Sequence, residues 1–275
     1  MSNHPGRQTA SLAIAPAPDP LGGGLHEPVA RLGERRSYAA PYESLTFTVA
    51  TQARRELTVT LAAQPIFDLE RSIPVARRIR RSVRRQGGES ALMGRDRRTL
   101  ESGDLKRIDV QTLRNGLDLL RLGSSDSGVV PAFWRTITAS DGRFALLCTE
   151  VQHGTAPGTL LIEIMGGLEQ APLDEIQDAI RHFETAELGV ILHIAPDPGA
   201  ALRLTQVRAQ CLAIDFAGVE HDSAREWRTA AQLIGAARQA CPQVMLLNLR
   251  PDRGLAAQAA GATHAVFAGM DAIIV

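Results

Sequence analysis

The stretch TLLIEIMG, Thr159–Gly166, leads through PLDEIQDAIRHFETAELG, Pro172–Gly189, to VILHIA, Val190–Ala195. The first and last pieces are short, almost wholly apolar and rich in β-branched residues, which is the pattern of strands buried on both faces. Between them Leu173, Ile176, Ile180 and Phe183 fall on one face of a helix, and Gly189 reads as its stop. The same alternation continues to the end of the chain. PGAALRLTQVR (198–208) reads as helix, CLAIDFA (211–217) as strand and SAREWRTAAQLIGAARQAC (223–241) as helix. VMLLNL (244–249) reads as strand, GLAAQAAG (254–261) as helix and HAVFAG (264–269) as strand. Buried strands alternating with amphipathic helices describe a parallel sheet covered by helices, either a closed barrel or an open doubly wound sheet. An open dinucleotide-binding sheet needs a glycine fingerprint after its first strand. LGGGL lies near the amino terminus away from any strand, and IMGG lacks the G-x-G-x-x-G spacing, which favours the barrel.

Working outward toward the amino terminus, SLTFTVA (44–50) and ELTVTLAAQPIFDL (56–69) alternate or run apolar and read as strands. DLKRIDVQTLRNGLDLLRL (104–122) places Leu105, Ile108, Leu113, Leu117 and Leu120 near helical spacing, with Asp104 as its N-cap. RRQGGESALMGRDRR (84–98) reads as a loop. Residues 1–41 are rich in Pro, Gly and Ala and lack periodicity, so they are expected to form a disordered tail, with the barrel occupying 42–275.

PVARRIRRSVRR, Pro74–Arg85, is the least ordinary segment, with six arginines in a dozen residues. As a helix it would carry Val75, Ile79 and Val83 as an apolar stripe beside a basic face. No aromatic interleaves the arginines for base stacking, and an acidic stretch, Glu163–Asp197, offsets their field, so nucleic acid is a poor candidate partner. The 275 residues carry a net charge of zero and are 44% hydrophobic. That balance supplies a sizeable core and no overall attraction to polyanions. No apolar run approaches a membrane span, and the amino terminus lacks an uninterrupted apolar signal region, so a cytoplasmic protein is expected. Cys148, Cys211 and Cys241, odd in number and set among apolar neighbours, read as reduced core thiols. His193, on an apolar strand without a nucleophile beside it, reads as a hydrogen-bonded barrel histidine.

Six phrases resemble, in order, those of the EAL domains, the cyclic di-GMP phosphodiesterases. AQPIFDL (63–69) resembles their Q-P-I-x-D-L strand, LKRIDVQTLRNGLDLL (105–120) the following helix, and GTLLIEI (158–164) their L-x-x-E-x strand. ELGVILHI (187–194) is similar to the strand before their paired aspartates, CLAIDF (211–216) to the K-I-D strand, and AAGATHAVFAG (259–269) to the closing turn. The resemblance implies an α/β fold, a TIM-type (β/α) barrel with one antiparallel strand and a site at the carboxyl ends of the strands. In the active family carboxylates, an asparagine and a lysine hold two Mg²⁺ or Mn²⁺ ions and an attacking water.

Position by position, the resemblance implies that this set is largely gone. E-A-L-L-R falls on RRIRR, so the namesake glutamate corresponds to Arg77 and the phosphate-contacting arginine to Arg81. The asparagine strand corresponds to GVVPAFW (128–134), which contains no Asn. Glu163 is retained. The paired aspartates fall on Ala195 and Pro196, with Asp197 out of register. The lysine is Ala213, although Asp215 persists. The later glutamate falls near Leu249 or Arg250, and the glutamine near Val266. Glu163 and Asp215 therefore read as relics of a metal site, with no metal or other cofactor expected here.

The expected function is that of a degenerate, non-catalytic EAL-like barrel serving as a protein-binding regulatory module in bacterial signalling, its protein partner unidentified. Cyclic di-GMP bound without hydrolysis is the alternative, with Arg77, Arg78, Arg80 and Arg81 as candidate phosphate or partner contacts. Active members of the family pair through a helix beside the site, which makes a homodimer a candidate assembly.

Overall fold

The computed structural model describes residues 44–85, 90–91, 100–121, 127–153 and 159–269. The tail expected over 1–41 and most of the loop expected over 84–98 lie outside the described residues. Three strands open the fold, β1 (Ser44–Ala50), β2 (Glu56–Asp68) and β3 (Ile73–Arg85). They are followed by the helix α1 (Ser102–Arg121), strand β4 (Ser127–Phe133), and helices α2 (Trp134–Thr138) and α3 (Ser140–His153). From there strand and helix alternate as β5 (Thr159–Met165), α4 (Leu173–Thr185), β6 (Gly189–Ile194), α5 (Pro198–Arg203), β7 (Cys211–Asp215), α6 (Ala224–Ala240), β8 (Val244–Leu249), α7 (Gly254–Ala260) and β9 (His264–Phe267).

β2 to β9 close a barrel of eight strands. Strands β3 through β9 run parallel to one another, and β2 is antiparallel to both of its neighbours, pairing Phe67 with Ala265 to complete the ring. β1 lies outside the ring as an antiparallel addition to β2. An apolar plug that includes Ile66, Val129, Leu161, Ile191, Ala213 and Met245 packs in the barrel interior. A second apolar shell packs the helices on the outside, with Ile176, Ile180 and Phe183 of α4 among its buried side chains. Burying a side chain of that size contributes roughly 1.5–3 kcal/mol. Both strand faces are therefore apolar, which is why β5 to β9 read as continuous hydrophobic runs.

Two local expectations are corrected. Asp104 is not the cap of α1: it lies within the first turn, and its Oδ1 accepts from the backbone N–H of Gln52 at 2.8 Å, tying the helix to the β1–β2 turn. Gly189 does not end α4 but begins β6. The left-handed residue that turns the chain is Glu187, at φ 62°, while Ala186 and Leu188 donate back to Phe183. By contrast, α6 begins as its sequence suggests, with Ser223 and Glu226 forming a reciprocal capping box.

Arg-rich β3 is a strand. A repeat of four, as in Val75, Ile79 and Val83, suits a helix face and equally a strand of period two. Pairing decides between them: β3 matches β2 from Leu57↔Arg85 to Asp68↔Ile73, with one register shift at Ile66/Phe67.

Candidate functional site at the carboxyl mouth of the barrel

Along β3, alternation sends Ala76 and Arg78 into the barrel and Arg77, Ile79 and Arg81 toward α1. A shift of one residue exchanges those faces, and so Arg78, not Arg77, takes the inward place. Arg77 instead donates through Nη1 to the carbonyl of Leu119 in α1 at 3.4 Å. β3 and β4 pair only at Arg77↔Gly128 and Arg78↔Val129, and Arg81 lies where they have parted. There it donates to Asp109 Oδ1 of α1 at 2.6 Å with its guanidinium 4.0 Å from the Phe133 ring centroid. Burial raises the Asp109 carboxyl above its ordinary range, while Arg81, Thr136 and the N–H of Phe133 pull against it. Arg80, on the same strand, is exposed.

Arg78 reaches across the interior to Glu163 on β5. Its Nε donates to Oε2 at 2.6 Å and its Nη2 to Oε1 at 2.9 Å, a two-point contact. A third donor, Nη1, reaches Gln64 Oε1 on β2 at 3.2 Å. On the other side of Glu163, His193 Nδ1 of β6 lies 2.7 Å from Oε1. An ionised carboxylate only accepts, so Nδ1 carries the proton in this contact. Glu163 is completely buried and the His193 side chain 17% exposed, so the triad faces the mouth through the histidine. Burial by itself would raise the Glu163 carboxyl. The charge of Arg78 and the hydrogen bond and charge of His193 outweigh it and hold the group well below the ordinary carboxylate range.

The remaining positions lie on β6 to β9 or just beyond their ends. Asp215, at the end of β7, accepts on Oδ1 from Asn248 Nδ2 at 2.7 Å and from the N–H of Ala217 at 2.9 Å. Asn248 adopts φ 55° where β8 and β9 shift register, a conformation asparagine tolerates better than most residues. Ala213, Leu249 and Val266 are buried apolar side chains. Ala195 is half-buried and Pro196 exposed. Asp197 caps α5, accepting from the N–H of Ala200 at 2.9 Å.

Among the described residues no group of three or more His, Cys, Asp or Glu side chains is disposed to hold a metal. The geometry explains why this mouth fits a divalent cation poorly. Both Glu163 oxygens are already taken by N–H donors, and the permanent cation of Arg78 would repel an arriving metal. The arrangement can bind and orient polar groups through His193. Among the described residues of this mouth, the Glu163 carboxylate is engaged by Arg78 and His193, and that of Asp215 by Asn248. Asn248 and Gln64 escaped sequence reasoning as site residues. Gln64 belonged to the quoted Q-P-I phrase, but neither residue stands at spacing that would announce its partner.

At the opposite, amino end of the barrel, a cleft of about 450 Å³ opens among Asp68, Arg71, Arg238, Gln258 and His264. Among the described residues no helix is long and apolar enough to cross a membrane.

No family model matches this sequence, and no curated protein matches it. Solved structures do match the fold. The FimX EAL domain from Pseudomonas aeruginosa bound to c-di-GMP is 15% identical, with a TM-score of 0.61 over 76% of this chain and 88% of that one. The PaMucR phosphodiesterase in its c-di-GMP complex is 14% identical, with a TM-score of 0.60 over 76% of this chain and 93% of that one. The EAL enzyme Bd1971, with cAMP and cyclic di-GMP bound, is 17% identical, with a TM-score of 0.55 over 76% of this chain. The match spans 60% of the Bd1971 chain's length. The chain thus has the EAL barrel fold, with a mixed ring of eight strands and the antiparallel strand that the sequence phrases implied.

Proposed function

We propose that this protein is a non-catalytic EAL-type barrel that acts in cyclic di-GMP-related signalling by binding a protein partner. The observation that carries the reading is the ion pair of Arg78 with Glu163. A carboxylate at the carboxyl end of a barrel strand is where metal-dependent chemistry would need a hard oxygen ligand. Here that oxygen pair is fully buried and neutralised by a guanidinium from the neighbouring hairpin. Phosphodiester hydrolysis in such a barrel draws its largest rate contribution from cations at the developing charge, and an arginine–glutamate pair gives neither a Lewis acid nor a metal-activated water. A chain that keeps its barrel while filling the mouth in this way retains its outer surface as the working part.

Incubation with cyclic di-GMP and Mg²⁺ or Mn²⁺, followed by chromatography, tests the inactivity: linear dinucleotide forming in proportion to protein overturns it. Titration calorimetry with cyclic di-GMP separates the receptor alternative. Arg81, which the resemblance assigned to phosphate contact, is committed to Asp109, so no binding heat at micromolar protein is expected. Affinity purification from the native cell with and without added dinucleotide then seeks the partner. A specific protein recovered in both conditions supports a partner role independent of the ligand.

A further inference from the structure

β1 is the outer edge of the sheet, and among the described residues no strand covers its free side. Proteins usually blunt such an edge with charge, proline or a bulge. β1 carries none of these itself, and Arg107 of α1 meets the edge only at its last residue, donating to the carbonyl of Ala50 at 2.9 Å. The seven residues of β1, SLTFTVA, are uncharged and pair with β2 without a register shift from Ser44↔Ala62 to Ala50↔Glu56. Leu45 and Phe47 pack against the core yet remain only half-buried, while Thr46 and Thr48 are exposed on the other face.

The strand is also a chemical palindrome about Phe47. Threonine stands on each side of it, then Leu45 and Val49, then the small residues Ser44 and Ala50. We propose that β1 pairs antiparallel with β1 of a second copy of this chain about a two-fold axis at Phe47. In that register Phe47 meets Phe47, Leu45 meets Val49 and Thr46 meets Thr48, so every cross-strand pair joins like with like on one face. A register displaced by one residue would oppose Phe47 to Thr48 and Thr46 to Val49, mixing apolar with polar side chains. The second copy covers the half-exposed flanks of Leu45 and Phe47 and satisfies the edge's backbone groups, which is strand addition between identical chains. This surface is separate from the barrel mouth, and the inference does not depend on the function proposed above.

Sedimentation of the full chain over a range of concentrations is expected to give dimers that dissociate on dilution, because a seven-residue edge is a small contact. Thr46 and Thr48 are exposed, so cysteine there leaves the fold intact, as circular dichroism will verify. Under mild oxidation the double variant Thr46→Cys/Thr48→Cys is expected to form a reducible covalent dimer, because the register places position 46 of one copy opposite 48 of the other. Either single variant is expected to stay at the wild-type background. A monomer at every concentration with no cross-link overturns the proposal, meaning that the edge is free or covered by residues preceding it. Equal cross-linking by the single variants also overturns it, by assigning another register.

Discussion

Arg78 Nε and Glu163 Oε2 meet at 2.6 Å across the barrel interior although 85 residues separate them in the chain. The contact joins β3 to β5, two parallel strands separated by β4, so the barrel's mouth is held by a charge pair between strands that do not pair with each other. Desolvating two charges is costly, and such a pair stabilises mainly relative to a barrel in which one partner is missing.

Removing the cation alone should therefore be severe. Arg78→Met is expected to lower unfolding free energy by about 3–5 kcal/mol, since it leaves Glu163 buried and uncompensated. The double variant Arg78→Met/Glu163→Met is expected to recover much of that loss, with apolar groups filling the same space. Urea unfolding of both variants measures the difference. Equal destabilisation in the two would mean that the charges are not coupled.

The same pair fixes an acid sensitivity. The Glu163 carboxyl in the fold lies well below its ordinary value of 4.5. For a carboxyl depressed in this way, the stability it contributes is fully present above the ordinary value and is lost as pH falls toward the folded-state value. Between pH 6 and 3, Glu163→Gln should therefore show a shallower fall in unfolding free energy than the wild type, and the gap between them should narrow. Parallel slopes would place the acid sensitivity in other groups.

The parallel half of the fold was legible because β5 to β9 are buried on both faces and the longer helices between them, α4 and α6, each show one apolar stripe. β3 was harder, because Val75, Ile79 and Val83 satisfy helical and strand periods together, and only pairing with β2 breaks the tie. Glu163 and His193 stand out by their polarity on apolar strands, but the sequence marks Glu163 only as a metal-site relic and His193 only as a hydrogen-bonded barrel histidine, not as each other's partners. The site was not legible at Arg78, since nothing in a run of arginines says which one points inward. That depends on strand parity and on the register shift at Ile66/Phe67, neither of which local composition fixes.

Asn248 combines a left-handed backbone with a hydrogen bond to Asp215. Asn248→Gly keeps the backbone without steric cost and loses only the amide, so a destabilisation of about 0.5–1.5 kcal/mol is expected. Asn248→Ala loses the amide and adds left-handed strain of about 1–2 kcal/mol. Thermal unfolding should rank wild type above glycine above alanine. Alanine equalling glycine would show that the loop relaxes out of the left-handed region.

Two glycines away from the mouth make opposite predictions from one argument. A Cβ on Gly142 would stand 2.1 Å from the carbonyl oxygen of Thr136, a backbone atom that cannot swing aside. Gly142→Ala must therefore push α3 off the end of α2, at a cost of about 1–3 kcal/mol. A Cβ on Gly235, within α6, would meet nothing within 4 Å, and its backbone is helical. There alanine removes unfolded-state freedom without a clash, and Gly235→Ala is expected to stabilise by about 0.4–1 kcal/mol. Denaturant midpoints of the two variants, measured side by side, check the sign of each. A destabilising Gly235→Ala would mean that the open space beside α6 is occupied by a part of the chain outside the described residues or by a second molecule.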